Sequence, residues 1–368
     1  MFPKDYVSGD YAVGTETFSV TDINRKEKLG NTNENRKISV RMYYPVNRND
    51  IIGKEKADVF TEKKLHAILK AFRMKTMCKE MLKADYYDNI PFISDKKFPM
   101  IVFSHGYNSY VEANTFLCIE LASHGYIVAS VGHAYEAVEN DYEDGSFDLY
   151  DKTINKKMYN GMIRTLLSQR KLMKAKLSPE DAYKMFKEFQ NKYMTYIMGR
   201  IPEWKADILC AVDEVKKRYN NYIDYSNGIG ASGHSLGGAL AYHLCLDNAD
   251  FTCGINIDGG IFGEFGNKTM SSPFFQICCK ENINVETKAM LNTTAPVHYA
   301  VFNNMKHMAF TDAKFYLPYK SLTGRMDSLV MYKHLSDIHI KFFDKYLKKN
   351  ENITIPTGII DDIEYSSY

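Results

Sequence analysis

Six short and largely apolar runs constrain this chain more than any other feature: PMIVFSHG (99–106), YIVASVGH (126–133), GIGASGHS (228–235), TCGINID (252–258), PFFQICC (273–279) and PVHYAVFN (296–303). A strand with one wet face alternates polar with apolar residues. A continuous run belongs to a strand covered on both faces, as in a parallel sheet. Parallel neighbours need crossover connections, and helix-length segments lie between the runs. One falls within 110–124 and ends at Gly125, and another starts just after Ser235 and runs through LGGALAYHLCL. The last spans 328–347, where Met331, Leu335, Ile338, Phe342 and Tyr346 share a face. Such a stripe suits core packing better than a membrane or partner surface. Alternating strands and helices define an α/β chain: a mostly parallel central sheet with helices on both faces. Upstream, Ile38, Val40, Met42 and Tyr44 alternate with Ser39, Arg41 and Tyr43, the pattern of a half-buried strand.

No repeat or low-complexity linker divides the 368 residues, so a single domain over 1–368 is expected. Two segments interrupt the alternation. Residues 57–84 read as a small inserted helix rich in Lys and Met. Residues from about 135 to 225 read as a larger helical insertion. Its first part, DYEDGSFDLYDKTINKK, is polar and loop-like, Pro179 opens one helix, and Pro202 opens another that carries Trp204, the only tryptophan. An insertion between core strands at their carboxyl ends would cover a site there as a lid. Met158, Met162, Met173, Met185, Met194 and Met198 lie in it. They could line an adaptable apolar pocket, although gap-filling in a core is the commoner use of Met.

Composition removes several function classes. Lys plus Arg number 47 and Asp plus Glu 45, a net charge of +2. That balance gives no electrostatic case for nucleic acid or for an anionic membrane. Seven cysteines without a CxxC pair read as buried reduced thiols rather than a disulfide framework or a zinc cage. The opening MFPKDYVSGDYAVG lacks the pattern of a signal peptide, and no run reaches the length of a membrane span. The expectation is a cytoplasmic protein, or a secreted one where a leader has been removed.

The chemistry centres on Gly233-His234-Ser235-Leu236-Gly237, a G-x-S-x-G pattern with an apolar strand before it and an apolar helix after it. A strand that turns this sharply into a helix strains the backbone of the serine, and small neighbours two residues away avoid clashes. The turn presents the hydroxyl at a helix N-terminus, where developing negative charge is favoured. A serine nucleophile needs a base, and the base needs an orienting acid. In this α/β-hydrolase arrangement the chain order is Ser, then Asp or Glu, then His. Asp258 ends the next apolar strand and is the acid, with Asp312 and Asp327 as rivals. His307 lies in the loop after the strand 296–303 and is the base. The other downstream histidines fit less well: His298 sits at the wrong end of its strand, and His334 and His339 belong to the last helix. The oxyanion hole needs two backbone N–H groups, supplied by Leu236 and by Tyr107 after His105-Gly106. His133 ends a strand and either lines the pocket or makes a structural hydrogen bond. His133 and His234 are the substrate-binding candidates. No H-E-x-x-H, P-loop or dinucleotide fingerprint occurs, so no metal or cofactor is called for.

Several blocks together resemble the platelet-activating-factor acetylhydrolase family of α/β-hydrolases, plasma and intracellular type II. They are YAVGTETFSVTD with RKISVRMYYP, FPMIVFSHGYNSY with LASHGYIVASVGH, ASGHSLGG, and the strand ending INIDGG. The blocks cover about half of the chain, and residues 135–225 show no clear match. The resemblance implies a calcium-independent ester hydrolase that removes short or oxidised acyl groups from phospholipids. It also implies that the acid comes early, at Asp258, and that His307 is the base in a late loop. A small ester or lipid is the implied substrate, with transient contact to a lipid surface and an open oligomeric state. The alternatives are a general carboxylesterase, lipase or polyester hydrolase, and a non-catalytic binding protein on the same scaffold. A peptidase or thioesterase would use the same constellation.

Overall fold

The computed structural model describes residues 7–75, 83–155, 162–317 and 319–368. At its centre is an 11-stranded sheet. Five neighbouring strands run in parallel with a sixth: β5 (Ile127–Val131), β4 (Phe98–Ser104), β8 (Ile223–His234), β9 (Phe251–Ile257), β10 (Phe274–Cys279) and β11 (Val297–Phe302). Antiparallel strands flank this block. On one side lie β2 (Asn35–Val46) and β1 (Ala12–Lys26), with the two-residue β3 (Tyr87–Asp88) at the edge. On the other lie β13 (Ile363–Ser367) and β12 (Gly358–Ile360).

The continuous apolar runs have the burial they imply. Along β4, Ile101 and Phe103 enter one core while Met100 and Val102 enter the other. The first core is closed by the helices Thr115–Ser123 and Ser328–Tyr346, which contribute Phe116, Leu121, Leu335 and Phe342. The second is closed by Thr195–Tyr219 and Leu236–Asp247, which contribute Trp204, Ile208, Leu240 and Leu244. Each fully buried Leu, Ile or Phe stabilises the fold by about 1.5–3 kcal/mol over its exposed state.

Three sequence expectations change here. β2 is not half-buried, because every residue from Ile38 to Val46 is enclosed. The segment after residue 57 covers the polar side of the strand. There the Arg41 guanidinium donates to the carbonyl of Val59 at 3.0 Å and to the Tyr86 hydroxyl at 2.9 Å. The polar stretch read as a loop contains a hairpin, β6 (Glu139–Asp141) with β7 (Phe147–Leu149). Pro202 does not open a helix but lies inside Thr195–Tyr219. Its buried face, Ile197, Ile201, Trp204, Ile208, Ala211 and Val215, is continuous at helical spacing. Tertiary packing of that stripe outweighs the one hydrogen bond the proline removes.

The rest of the insertion consists of the helices Met162–Lys174 and Pro179–Tyr193. Ser178 caps the second, its hydroxyl accepting from the Asp181 N–H. Both pack beside the turns that follow β9 and β10. Gln190 exchanges two hydrogen bonds with the backbone of Gly263, and the Asn284 amide donates to the carbonyls of Leu172 and Ala175. The upstream insertion holds only the helix Glu62–Ala71, shorter than expected: residues 57–61, 72–75 and 83–84 are not helical, with Asp58 in a β-bridge to Lys83, and 76–82 lie outside the described residues, as does Met158. Among the described residues no helix is long and apolar enough to cross a membrane.

Candidate active site

Ser235 sits between the end of β8 and the first residue of the helix Leu236–Asp247, with φ 56° and ψ −120°. A non-glycine residue in this left-handed region is strained, and the surroundings must hold it there. The Ser235 N–H donates to the carbonyl of Ile257 at 2.8 Å. The helix passes so close to β4 that a Cβ on Gly237 would lie 2.0 Å from the carbonyl oxygen of Ser104. Only glycine fits there, which is the physical content of the pattern's last position.

Asp258 directly follows β9 and also has a positive φ, 54°. Asn256 holds this turn: its Oδ1 accepts from the Gly259 N–H at 3.0 Å, and its amide donates to the Gly259 carbonyl at 2.6 Å. The Asp258 carboxylate is 2% exposed and fully engaged. Oδ1 accepts from the Cys279 N–H at 2.7 Å, and Oδ2 accepts from the Asn282 amide at 2.8 Å and from His307 Nδ1 at 2.7 Å. Burial by itself would push this carboxyl up. The hydrogen bond and charge of His307, with the Cys279 N–H, outweigh burial and hold it below the ordinary carboxylate range.

His307 opens a short 3-10 turn, His307–Phe310, beyond the end of β11. Its Nε2 lies 3.0 Å from Ser235 Oγ. With Nδ1–H donating to Asp258, Nε2 is left to accept the serine proton. The structure therefore brings Ser235, His307 and Asp258 into one hydrogen-bonded line, drawn from three strand ends. The rival residues are engaged elsewhere. Asp312 accepts from the Phe116 N–H at 3.2 Å, and Asp327 caps the helix Ser328–Tyr346. His298 bonds Ser367 and Tyr346, His334 bonds Tyr365 and Asp361, and His339 bonds Ser232 and Leu335.

Leu236 is the first residue after Ser235, and the His105–Tyr107 segment faces it across the site. A Cβ on Gly106 would stand 3.0 Å from Ser235 Cβ, so this backbone comes close to the serine. The Tyr107 ring stacks on Trp204 with centroids 6.1 Å apart.

The two substrate-binding candidates, His133 and His234, are both enclosed. His133 is fully buried and stacks on Trp204 at 3.6 Å. Both of its ring nitrogens are taken: Nδ1 faces Asp207 at 2.9 Å and Nε2 faces Ser104 Oγ at 3.0 Å. It makes the structural hydrogen bond that was the other reading and has no nitrogen left for a ligand. His234 is also enclosed, and its ring lies 4.6 Å from that of His307. Its Nε2 meets the carbonyl oxygen of His307 at 3.0 Å. Burial pushes His234 down to about 3, so the ring is neutral and donates from Nε2.

Two features escaped the sequence reading. Asn282 completes the hydrogen-bond shell of the Asp258 carboxylate. Behind the His105–Tyr107 segment lies a buried ionic cluster: Asp207 accepts from Arg36 through both oxygens at 2.7 Å, and Glu136 accepts from Arg200 and from the Trp204 N–H at 2.7–2.8 Å. Burial would push Asp207 up, but Arg36 and His133 hold it well below the carboxylate range. Its trace in the sequence is the helical spacing of Arg200, Trp204 and Asp207, which puts two charges on an apolar face. Among the described residues no group of three His, Cys, Asp or Glu side chains is placed to hold a metal ion.

Fold and site together define an α/β-hydrolase of the ester-hydrolase class. A ferulic acid esterase structure from Streptomyces cinnamoneus superposes with a TM-score of 0.74, covering 97% of each chain at 18% identity. The profile of the family described as "Platelet-activating factor acetylhydrolase, isoform II" matches residues 3–186, half of the chain, and the protein belongs to that family. The match extends well into the segment beyond residue 135, where the sequence blocks show no clear likeness. Similar relatives are named platelet-activating factor acetylhydrolase: one from Cavia porcellus is 24% identical over 94% of this chain and 78% of its own length. One from Gallus gallus is 27% identical over 46% of this chain and 40% of its own length.

Proposed function

We propose that this protein is a serine ester hydrolase working through an acyl-enzyme, with a short-acyl or oxidised-acyl phospholipid as its substrate. The observation that carries the reading is the line Ser235 Oγ–His307 Nε2 at 3.0 Å and His307 Nδ1–Asp258 Oδ2 at 2.7 Å. Ser235 attacks the ester carbonyl as His307 takes its proton. Asp258 keeps the imidazole in the tautomer that leaves Nε2 free to accept, and it stabilises the imidazolium that forms. The N–H groups of Leu236 and Tyr107 receive the developing oxyanion. His307 returns the proton to the departing alcohol, and a water activated by the same imidazole releases the acid. No step of this cycle is assigned to calcium, in keeping with the calcium-independent hydrolysis that the family resemblance implies.

Family membership supports the phospholipid substrate. The helices Met162–Lys174 and Pro179–Tyr193 act as the cover that selects acyl length, a role their packing beside the turns after β9 and β10 supports.

Ser235→Ala tests the chemistry. Turnover of p-nitrophenyl acetate should fall by about three to six orders of magnitude, as when one member of such a unit is removed. Retained turnover overturns the reading. Comparing short-acyl phosphatidylcholine, long-acyl phosphatidylcholine and simple acetyl esters, each with and without EDTA, tests the substrate. A preference for simple esters makes the protein a general carboxylesterase instead.

A further inference from the structure

The Asp258 carboxylate is held by more than its imidazole. Cys279 and Asn282, its two other principal donors, come from one place, the end of β10 and the 3-10 turn Lys280–Val285 that follows it. The Cys279 N–H fixes Oδ1 at 2.7 Å, and the Asn282 amide reaches Oδ2 at 2.8 Å, the same oxygen that His307 uses. The neighbouring Glu281 forms an ion pair with Lys306, the residue before His307. One turn therefore touches the acid on one side and the loop of the base on the other.

We propose that Asn282 is a positioning residue: its amide sets the rotation of the Asp258 carboxylate and withdraws charge from the oxygen that faces His307. The proposal rests on the Ser235–His307–Asp258 reading above. The physical argument is competition at one atom. Oδ2 shares its lone pairs among His307, Asn282 and, more weakly, the Cys279 thiol at 3.5 Å, so an imidazolium is attracted less than by a bare carboxylate. Without Asn282, one of the carboxylate's anchors is lost. The oxygen is then more negative toward the ring, and the neutral imidazole needed for proton abstraction is reached only at higher pH. Other titratable groups near Asp258 do not blur this. Burial pushes His234 down to about 3, raises the Cys278 and Cys279 thiols, and holds Glu286 well above the carboxylate range. The Glu281–Lys306 pair adds one charge of each sign.

The test measures the rate of covalent labelling of Ser235 by a fluorophosphonate from pH 5 to 9, with thermal unfolding of each variant alongside. Asn282→Leu keeps the side chain's size without its donor, and Asn282→Asp keeps its shape but adds a carboxylate. Relative to the wild type, Asn282→Leu should label about tenfold more slowly at neutral pH. Its pH midpoint should rise by about half a unit to one unit, and Asn282→Asp should move it further up. A slower rate with an unmoved midpoint marks a merely structural side chain and overturns the proposal, as does an unchanged rate. If Asn282→Leu does not fold, Asn282→Asp alone decides by the same criterion. Ser235→Ala separates the two levels: labelling that survives in it defeats the Ser235 reading itself, whereas labelling lost in it leaves the Asn282 comparison intact.

Discussion

His234 Nε2 donates to the carbonyl oxygen of His307 at 3.0 Å, so the residue before the serine holds the backbone of the imidazole that faces the serine. The middle of the G-x-S-x-G pattern thereby links the Ser235 turn to the His307 loop directly. His234→Phe keeps a ring of similar size against His307 but removes the donor. One such hydrogen bond is worth about 1–1.5 kcal/mol, so kcat should fall about tenfold. KM should stay within about twofold, because the side chain acts on the base and not on the ester. Steady-state kinetics on a simple ester checks this. A raised KM with an unchanged kcat would mean that His234 touches substrate after all.

The ionic cluster behind the His105–Tyr107 segment carries a second expectation. Asp207→Ala leaves the Arg36 guanidinium, 1% exposed, without its principal partner, and leaves His133 Nδ1 without an acceptor. Breaking a buried ion pair from one side costs about 3–5 kcal/mol. Denaturant unfolding should show a loss of that size. Removing the exposed Lys217 from its pair with Glu214, as in Lys217→Ala, should change stability by less than about 1 kcal/mol, and it serves as the control.

His298 carries one share of the acid dependence that a single substitution isolates. Burial pushes it down to about 4, and its neighbours Ser367 and Tyr346 are uncharged near neutral pH. The folded value is below the ordinary imidazole value of 6.5, so the unfolded chain takes up the proton first as pH falls. The stability from His298 is therefore complete above about pH 6.5 and is lost progressively towards about pH 4. His298→Gln removes the titration while keeping a polar side chain that can reach the same hydroxyls. The stability gap between wild type and variant should close by about 1.4 kcal/mol per pH unit over that window. Denaturation at pH 7, 6 and 5 reads it directly, and a gap independent of pH contradicts the assignment.

The legible parts of this protein share one property: each is local in sequence or fixed by chain order. The doubly buried strands announce themselves because no polar residue interrupts them. Ser235 is legible because its elbow needs glycine two residues away on both sides. Asp258 and His307 follow from strand ends and order. Asn282 was not legible because it reaches the acid from the turn after β10, 24 residues further on, and an asparagine in a turn looks like any other. The Arg36–Asp207 pair spans 171 residues, and nothing near either residue points to the other. Pro202 misled because a rule about local backbone was stronger on paper than the packing of Trp204 and Ile208 against the sheet.

His307 stands 72 residues after Ser235 and arrives only with the strand that Phe302 ends. On the proposed reading, any copy of the chain that stops short of that strand carries Ser235 without the imidazole that faces it.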